Sequence, residues 1–82
     1  MIYIATFFSH YGAINFKRVL AARGIQVQLM PVPRAISSSC GTCARFEGDF
    51  PDLMFLPEED VEGLFVRRDD DFEPVEIRGE PI

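Results

Sequence analysis

Residues 2–30, IYIATFFSHYGAINFKRVLAARGIQVQLM, change their apolar spacing twice. Ile2 to Phe8 is apolar on both faces, the pattern of a central strand covered on both sides. Ser9 follows as a helix N-cap, although no Glu or Gln stands at residue 12 to complete a capping box. From His10 to Arg23 the apolar residues Ala13, Phe16, Val19 and Leu20 recur at helical spacing, with Lys17 and Arg18 elsewhere on the wheel. Arg23 suits a last turn and Gly24 a left-handed stop. Ile25 to Met30 then alternates, as a strand with one buried face does. Pro31-Val32-Pro33-Arg34 ends it, since proline cannot donate to a central ladder. The stretch predicts β-α-β with a right-handed crossover.

Further along, Thr42 to Phe46 and Gly63 to Arg67 read as short strands. Phe50-Pro51-Asp52 is a turn, Leu53 to Leu56 a short apolar run, and Pro57 to Asp60 a brief helix or a turn. Asp69 to Asp71 reads as a solvated bend, and Val75 to Ile77 as an edge strand or a loose tail. The expected fold is a small α+β sandwich with four strands and one or two helices. Ferredoxin-like βαββαβ is the natural arrangement, or a variant with a rebuilt C-terminal half, because no second helix is legible.

The chain of 82 residues reads as one domain: 1–47 hold the β-α-β and a cysteine loop, 48–82 an acidic part. Eight Phe and nearly half apolar residues supply a core and exclude a disordered chain. So small a domain holds little internal space, which favours chemistry at the surface. The opening residues lack a basic leader, and no apolar run reaches the roughly 18 residues of a membrane span. Two cysteines three positions apart cannot staple a fold, so the expected location is cytoplasmic.

Charge is unevenly divided. Residues 1–45 hold Lys17, Arg18, Arg23, Arg34 and Arg45 and no acid, a charge of +5; from Glu47 onward it is −10. The asymmetry reads either as an anion-attracting face followed by a solvating part, or as two halves that neutralise each other. A net charge of −5 and the lack of an aromatic-basic motif disfavour nucleic acid as a partner.

The chemically pointed segment is Ser37-Ser38-Ser39-Cys40-Gly41-Thr42-Cys43. Both strands of a β-α-β end at the same sheet edge, which also carries the helix N-terminus and its unpaired N–H groups. Cys40, Arg34 and His10 are thereby expected on one surface, where open α/β sheets bind ligands. A thiolate is the nucleophile, and Arg or a helix N-terminus favours it. Ser37, Ser38 and Ser39 could donate to the thiolate or to an anion attached to it, and Gly41 lets the backbone approach. A bound persulfide or selenide is such an anion, and an acid-free first half suits it. Three other readings stand beside this one. The cysteines could be ordinary buried thiols in a small-residue turn. They could be a redox Cys-x-x-Cys, although Ser39 stands where thioredoxin-type motifs carry an aromatic residue. They could be half a zinc site, completed by His10 or a dimer mate. The acidic clusters Glu58–Asp60 and Asp69–Asp71 lack calcium-loop spacing and read as solvated.

Phe7-Phe8-Ser9-His10, Gly24-Ile25 and above all Pro31-Val32-Pro33-Arg34-Ala35-Ile36-Ser37-Ser38-Ser39-Cys40-Gly41 resemble the DUF3343 family of selenium/sulfur carrier-like proteins, over roughly residues 2–47. The resemblance implies a small cytoplasmic α/β domain in which Cys40 carries sulfur or selenium as a persulfide or selenopersulfide, with Arg34 and Ser37 to Ser39 forming its loop. It implies a cysteine desulfurase-like donor, an acceptor enzyme, and a carrier more than a turnover enzyme, with no cofactor beyond the carried atom. A homodimer is left open. The chain departs from the family at Cys43, where a small or aliphatic residue is expected; Cys43 as a resolving thiol is the reading that this spacing suggests. It departs again after Glu47, where the family's second amphipathic helix is not legible.

Overall fold

The computed structural model describes residues 1–48 and 60–75. In chain order the elements are β1 (Ile2–Phe7), α1 (His10–Ala22), β2 (Val27–Pro31), β3 (Thr42–Glu47), β4 (Val61–Arg68) and β5 (Asp71–Pro74). They form a small α+β domain: one helix on one antiparallel sheet, in strand order β2-β3-β1-β4-β5. β3 inserts between β1 and β2, so those two run the same way without pairing. The β-α-β opening is therefore split. The sheet has five strands where four were expected, because the bend at Asp69 and Asp70 is the turn of a β4–β5 hairpin. A strand precedes the expected one, at Asp71–Pro74; Val75 lies just past it, and the rest of the stretch read as an edge strand or a loose tail, 76–77, falls outside the described residues. The turn at Phe50, the apolar run Leu53 to Leu56 and the brief element at Pro57 fall on 49–59, outside the described residues, as does any second helix there.

Each end of α1 follows from local chemistry. Ser9 caps the start by accepting from the Gly12 N–H at 3.3 Å. At the other end the Ile25 and Gly24 amides donate to Leu20 and Ala21 carbonyls, both at 3.0 Å, with Gly24 at φ +81°. That is a complete Schellman stop, which glycine adopts without Cβ strain.

The helix lays Ala13, Phe16 and Leu20 on a core of Tyr3, Ala5, Phe7, Val27, Ala44, Phe46, Leu64 and Val66. Phe16 stands between two strands, its ring 5.2 Å from Phe7 edge-on and 5.4 Å from Phe46. Such pairs add roughly 0.5–1.5 kcal/mol each beyond their buried area. The other sheet face has its own cluster of Ile4, Ile36 and Cys43, to which α1 contributes nothing. β1 is thus covered on both faces, as its unbroken apolar run requires. On the second face the cover near Ile4 includes a loop residue, Ile36.

β2 ends at Pro31, the first residue of the stretch expected to stop it, which pairs in register opposite Thr42. β2 is an edge strand. The Val32 N–H points to β3, bonding the Gly41 carbonyl at 3.1 Å. Alternation then turns the nitrogen of Pro31 outward, where a missing donor costs nothing and blunts the edge.

A distant residue completes the start of α1. The Phe8 amide donates to the Asp60 carbonyl at 3.0 Å, the Ser9 amide donates to Asp60 Oδ2 at 3.1 Å, and the Ser9 hydroxyl donates to that same oxygen. Asp60 sits in the left-handed region, φ 63°, where Asp is tolerated better than most residues. Gly12 makes room for it: a Cβ there would lie 2.6 Å from that of Asp60. Gly12→Ala is expected to lower stability by about 1–3 kcal/mol in urea unfolding. Combining it with Asp60→Ala should cost less than the two single changes added together.

Candidate functional site

β1 and β2 both run antiparallel to β3, so their C-terminal ends meet at one end of the sheet. There the 33–40 loop leaves β2 and returns through Gly41 into β3, closed by the Val32–Gly41 hydrogen bond. The loop is tied at successive points. The Ile36 amide donates to the Pro33 carbonyl at 3.0 Å, making a turn around Arg34 and Ala35, and the Ile36 side chain is buried beside Ile4 and Cys43. Ser38 Oγ donates to the Phe7 carbonyl at 3.4 Å. The Ser39 amide and hydroxyl donate to the two carboxylate oxygens of Glu62, at 2.9 and 2.8 Å. These two hydrogen bonds, the amide first, hold the Glu62 carboxyl below the usual carboxylate range, with a smaller contribution from Ser38.

Cys40 follows directly, half-buried against the helix-side core. Its Sγ accepts from the Thr42 amide at 3.4 Å and donates to the Thr42 carbonyl at 3.3 Å. Gly41, at φ +75°, provides the reversal that folds the Thr42 backbone back onto the sulfur. The Thr42 hydroxyl in turn meets His10 Nδ1 at 3.0 Å. The cysteine turn and the first turn of α1 are therefore adjacent, as the strand geometry predicts.

Cys43 goes elsewhere. Strand alternation turns it away from Ala44 and Phe46, into the cluster with Ile4 and Ile36. It is fully buried, and its thiol donates to the Pro31 carbonyl at 3.7 Å. Burial pushes this thiol up from its ordinary 9.0 to about 11, and the neighbouring Cys40 charge adds to the rise. Both cysteines are free thiols. The Cys-x-x-Cys spacing thus sends one sulfur to the helix-side core and the other to the opposite face.

The remaining expected residues are dispersed. Arg34 and Ser37 are exposed on the loop, and among the described residues neither bonds to the cysteine turn. Ser38 and Ser39 face protein acceptors, and the N-terminus of α1 already holds the Asp60 carboxylate. The first half lacks acids in sequence, yet the fold brings two to this end, Asp60 and Glu62. The two halves meet in the β1–β4 ladder and, at this end, through these carboxylates on amides and hydroxyls. Arg68 and Glu73 form an ion pair within the second half. Asp60 is thereby a cap and not a solvated charge. No group of three His, Cys, Asp or Glu among the described residues could hold a metal ion. The open groove beside β2, lined by Lys17, Gln28 and Arg45 among others, includes no residue of the cysteine turn.

Thr42, Asp60 and Glu62 are the residues that sequence reasoning missed. A glycine inside the first turn of a helix was the one available signal, because it marks a close approach by something else.

A raised thiol pKa stabilises the fold fully below pH 9 and loses that contribution as pH climbs through about 11. The stability of the parent should therefore fall by about 3 kcal/mol over that window, on the order of two pKa units. Cys43→Ala should lack this part of the decline, measured by urea unfolding at each pH. The sign is opposite at Glu62, whose lowered carboxyl pKa makes its contribution present above the ordinary 4.5 and lost below the folded value. Hydrogen exchange at the Ser39 amide should stay slow as pH falls through 4.5 and quicken only below it. It should be fast throughout in Glu62→Ala.

No helix among the described residues is long and apolar enough to cross a membrane. No curated protein and no solved structure matches the chain. One family does, and its match runs from β1 through the whole cysteine turn and past β3. That family is described as "Putative Se/S carrier protein-like"; it matches residues 2–54, more than half of the length, and the chain belongs to it.

Proposed function

We propose that this chain is a cytoplasmic carrier that holds sulfur or selenium on Cys40, as a persulfide or selenopersulfide, between a cysteine desulfurase-like donor and an acceptor enzyme. One observation carries the reading: of the two free thiols in the family-matched stretch, only Cys40 is accessible, and it sits on a turn whose backbone meets the sulfur. A carrier needs an exposed nucleophile and a place to dock, not a deep pocket. Family membership supports the class of cargo.

In loading, the Cys40 thiolate attacks the outer sulfur of the donor's persulfide. The donor's S–S bond breaks, its own thiolate leaves, and a new S–S bond forms on Cys40. Delivery repeats the step: an acceptor nucleophile takes the outer atom and the Cys40 thiolate leaves. Each transfer exchanges one bond for another, so neither step needs an outside oxidant or reductant. The Thr42 amide donates to Sγ in the free thiol and can do so to the thiolate. His10 orients the Thr42 side chain. Arg34 and Ser37 are exposed on the loop that leads into this turn and are the residues that would meet the outer atom. A redox or metal module would need both sulfurs on one side, whereas Cys43 faces the opposite cluster with its thiol held protonated.

Intact mass spectrometry after incubation with a cysteine desulfurase and cysteine tests the reading. The parent and Cys43→Ser should each gain one sulfur atom, and Cys40→Ser should gain none. Gain that needs both cysteines, or loss of two hydrogens in place of a gain, would replace the carrier with a disulfide module.

A further inference from the structure

Among the described residues four large apolar side chains are exposed, and three follow one another from the end of β1 into α1: Phe8 at 57 %, Tyr11 at 77 % and Ile14 at 59 %. They stand three residues apart, beginning one residue before the N-cap and running along the outer face of α1. None belongs to either core cluster. The same face continues into Lys17 and Arg18, both exposed, with Arg18 held over Asn15 Oδ1 at 2.7 Å. No acid occurs in residues 1–46 to offset this charge. Among the described residues the carboxylate that bonds to the start of α1, Asp60, is turned toward Ser9 and Gly12.

Position gives the strip its meaning. His10 lies within it in sequence, and its ring reaches Thr42, whose amide reaches the Cys40 sulfur. A body seated on Phe8, Tyr11 and Ile14 would border His10 and, through Thr42, the cysteine turn. Resting on the carrier reading of Cys40, we infer that this strip is the docking surface for the sulfur-donating protein, which presents an apolar segment bordered by carboxylates. The apolar residues supply the buried centre of such a contact, and Lys17 and Arg18 its charged rim. A second copy of the chain fits less well through the same face. Packing α1 against another α1 sets basic and apolar residues against basic and apolar residues, with no acid on either side.

The test compares two donors on the same proteins. A cysteine desulfurase with cysteine must dock, whereas glutathione persulfide needs only reach the thiol. The rate of sulfur gain on Cys40 is read by mass for the parent, for Tyr11→Gln with Ile14→Gln, and for Lys17→Glu. Gln suits an exposed helix position, so folding should persist. The double variant should load about tenfold more slowly from the desulfurase, the loss of one anchoring contact. It should load at the parent's rate from glutathione persulfide. Lys17→Glu should slow the desulfurase reaction alone, and salt should narrow its difference from the parent. An unchanged desulfurase rate in the double variant overturns the docking surface, as does equal slowing with both donors. A parent that loads no faster from the enzyme than from glutathione persulfide also overturns it. So does a parent that sediments as a dimer which the double variant abolishes. Failure of Cys40 to gain sulfur from either donor removes the carrier reading itself, and the docking surface with it.

Discussion

The Asp60 carboxylate fastens the start of α1 to the entrance of β4. A helix beginning with Ser9 ordinarily finishes its first turn with Glu or Gln three residues on, whose side chain reaches back to the cap amide. Here that position is Gly12, and the carboxylate comes instead from Asp60, far along the chain at the entrance to β4. The substitution of a distant acid for a local one changes what the cap does. A local capping box stabilises a helix; this one also ties the start of α1 to the strand that follows the undescribed segment. Two residues later Glu62 repeats the device on the cysteine loop. The acidic half thus organises the basic half through amides and hydroxyls, which lose less to salt than exposed ion pairs do.

Phe16 performs the corresponding task in the core. Its ring contacts both Phe7 at the end of β1 and Phe46 near the end of β3, strands that run in opposite directions. Seating the helix across them fixes His10 above the turn that enters β3. The insertion of β3 between β1 and β2 also decides the fate of the two cysteines. Cys40 precedes the strand and is free to fold toward α1, whereas Cys43 is inside it and must obey its alternation. A three-residue spacing on a helix would have put both sulfurs on one face. On a strand entrance it separates them.

The opening of the chain was legible because its signals are local. The Ser9 cap, the spacing of Ala13, Phe16 and Leu20 and the Gly24 stop each depend on a few neighbours, and all appear as read. The strands at Thr42 and Gly63 were legible for the same reason. The end of β2 at Pro31 was legible too, but nothing in the sequence says that β3 inserts between β1 and β2 and leaves β2 at the edge. The solvated bend at Asp69 appears as read, with Asp69 in a left-handed conformation that Asp tolerates, but the short strand that follows it carries no alternating apolar signal. At the site, the adjacency of Cys40 and His10 could be argued from strand direction alone. The anchoring of Ser39 by Glu62 could not, because that contact spans residues whose pairing depends on the whole sheet.

That anchoring bears on how a carrier would work. Had the serine hydroxyls and amides converged on Cys40, they would form a strong anion cradle, and a strongly held anion is a poor thing to pass on. Ser38 and Ser39 instead direct hydrogen bonds to Phe7 and Glu62, leaving the Thr42 amide as the donor on Sγ. The loop is tied by contacts made away from the sulfur. A carrier built this way would place few contacts on its cargo, and a group bound much more tightly in one state shifts the equilibrium toward it and stays there.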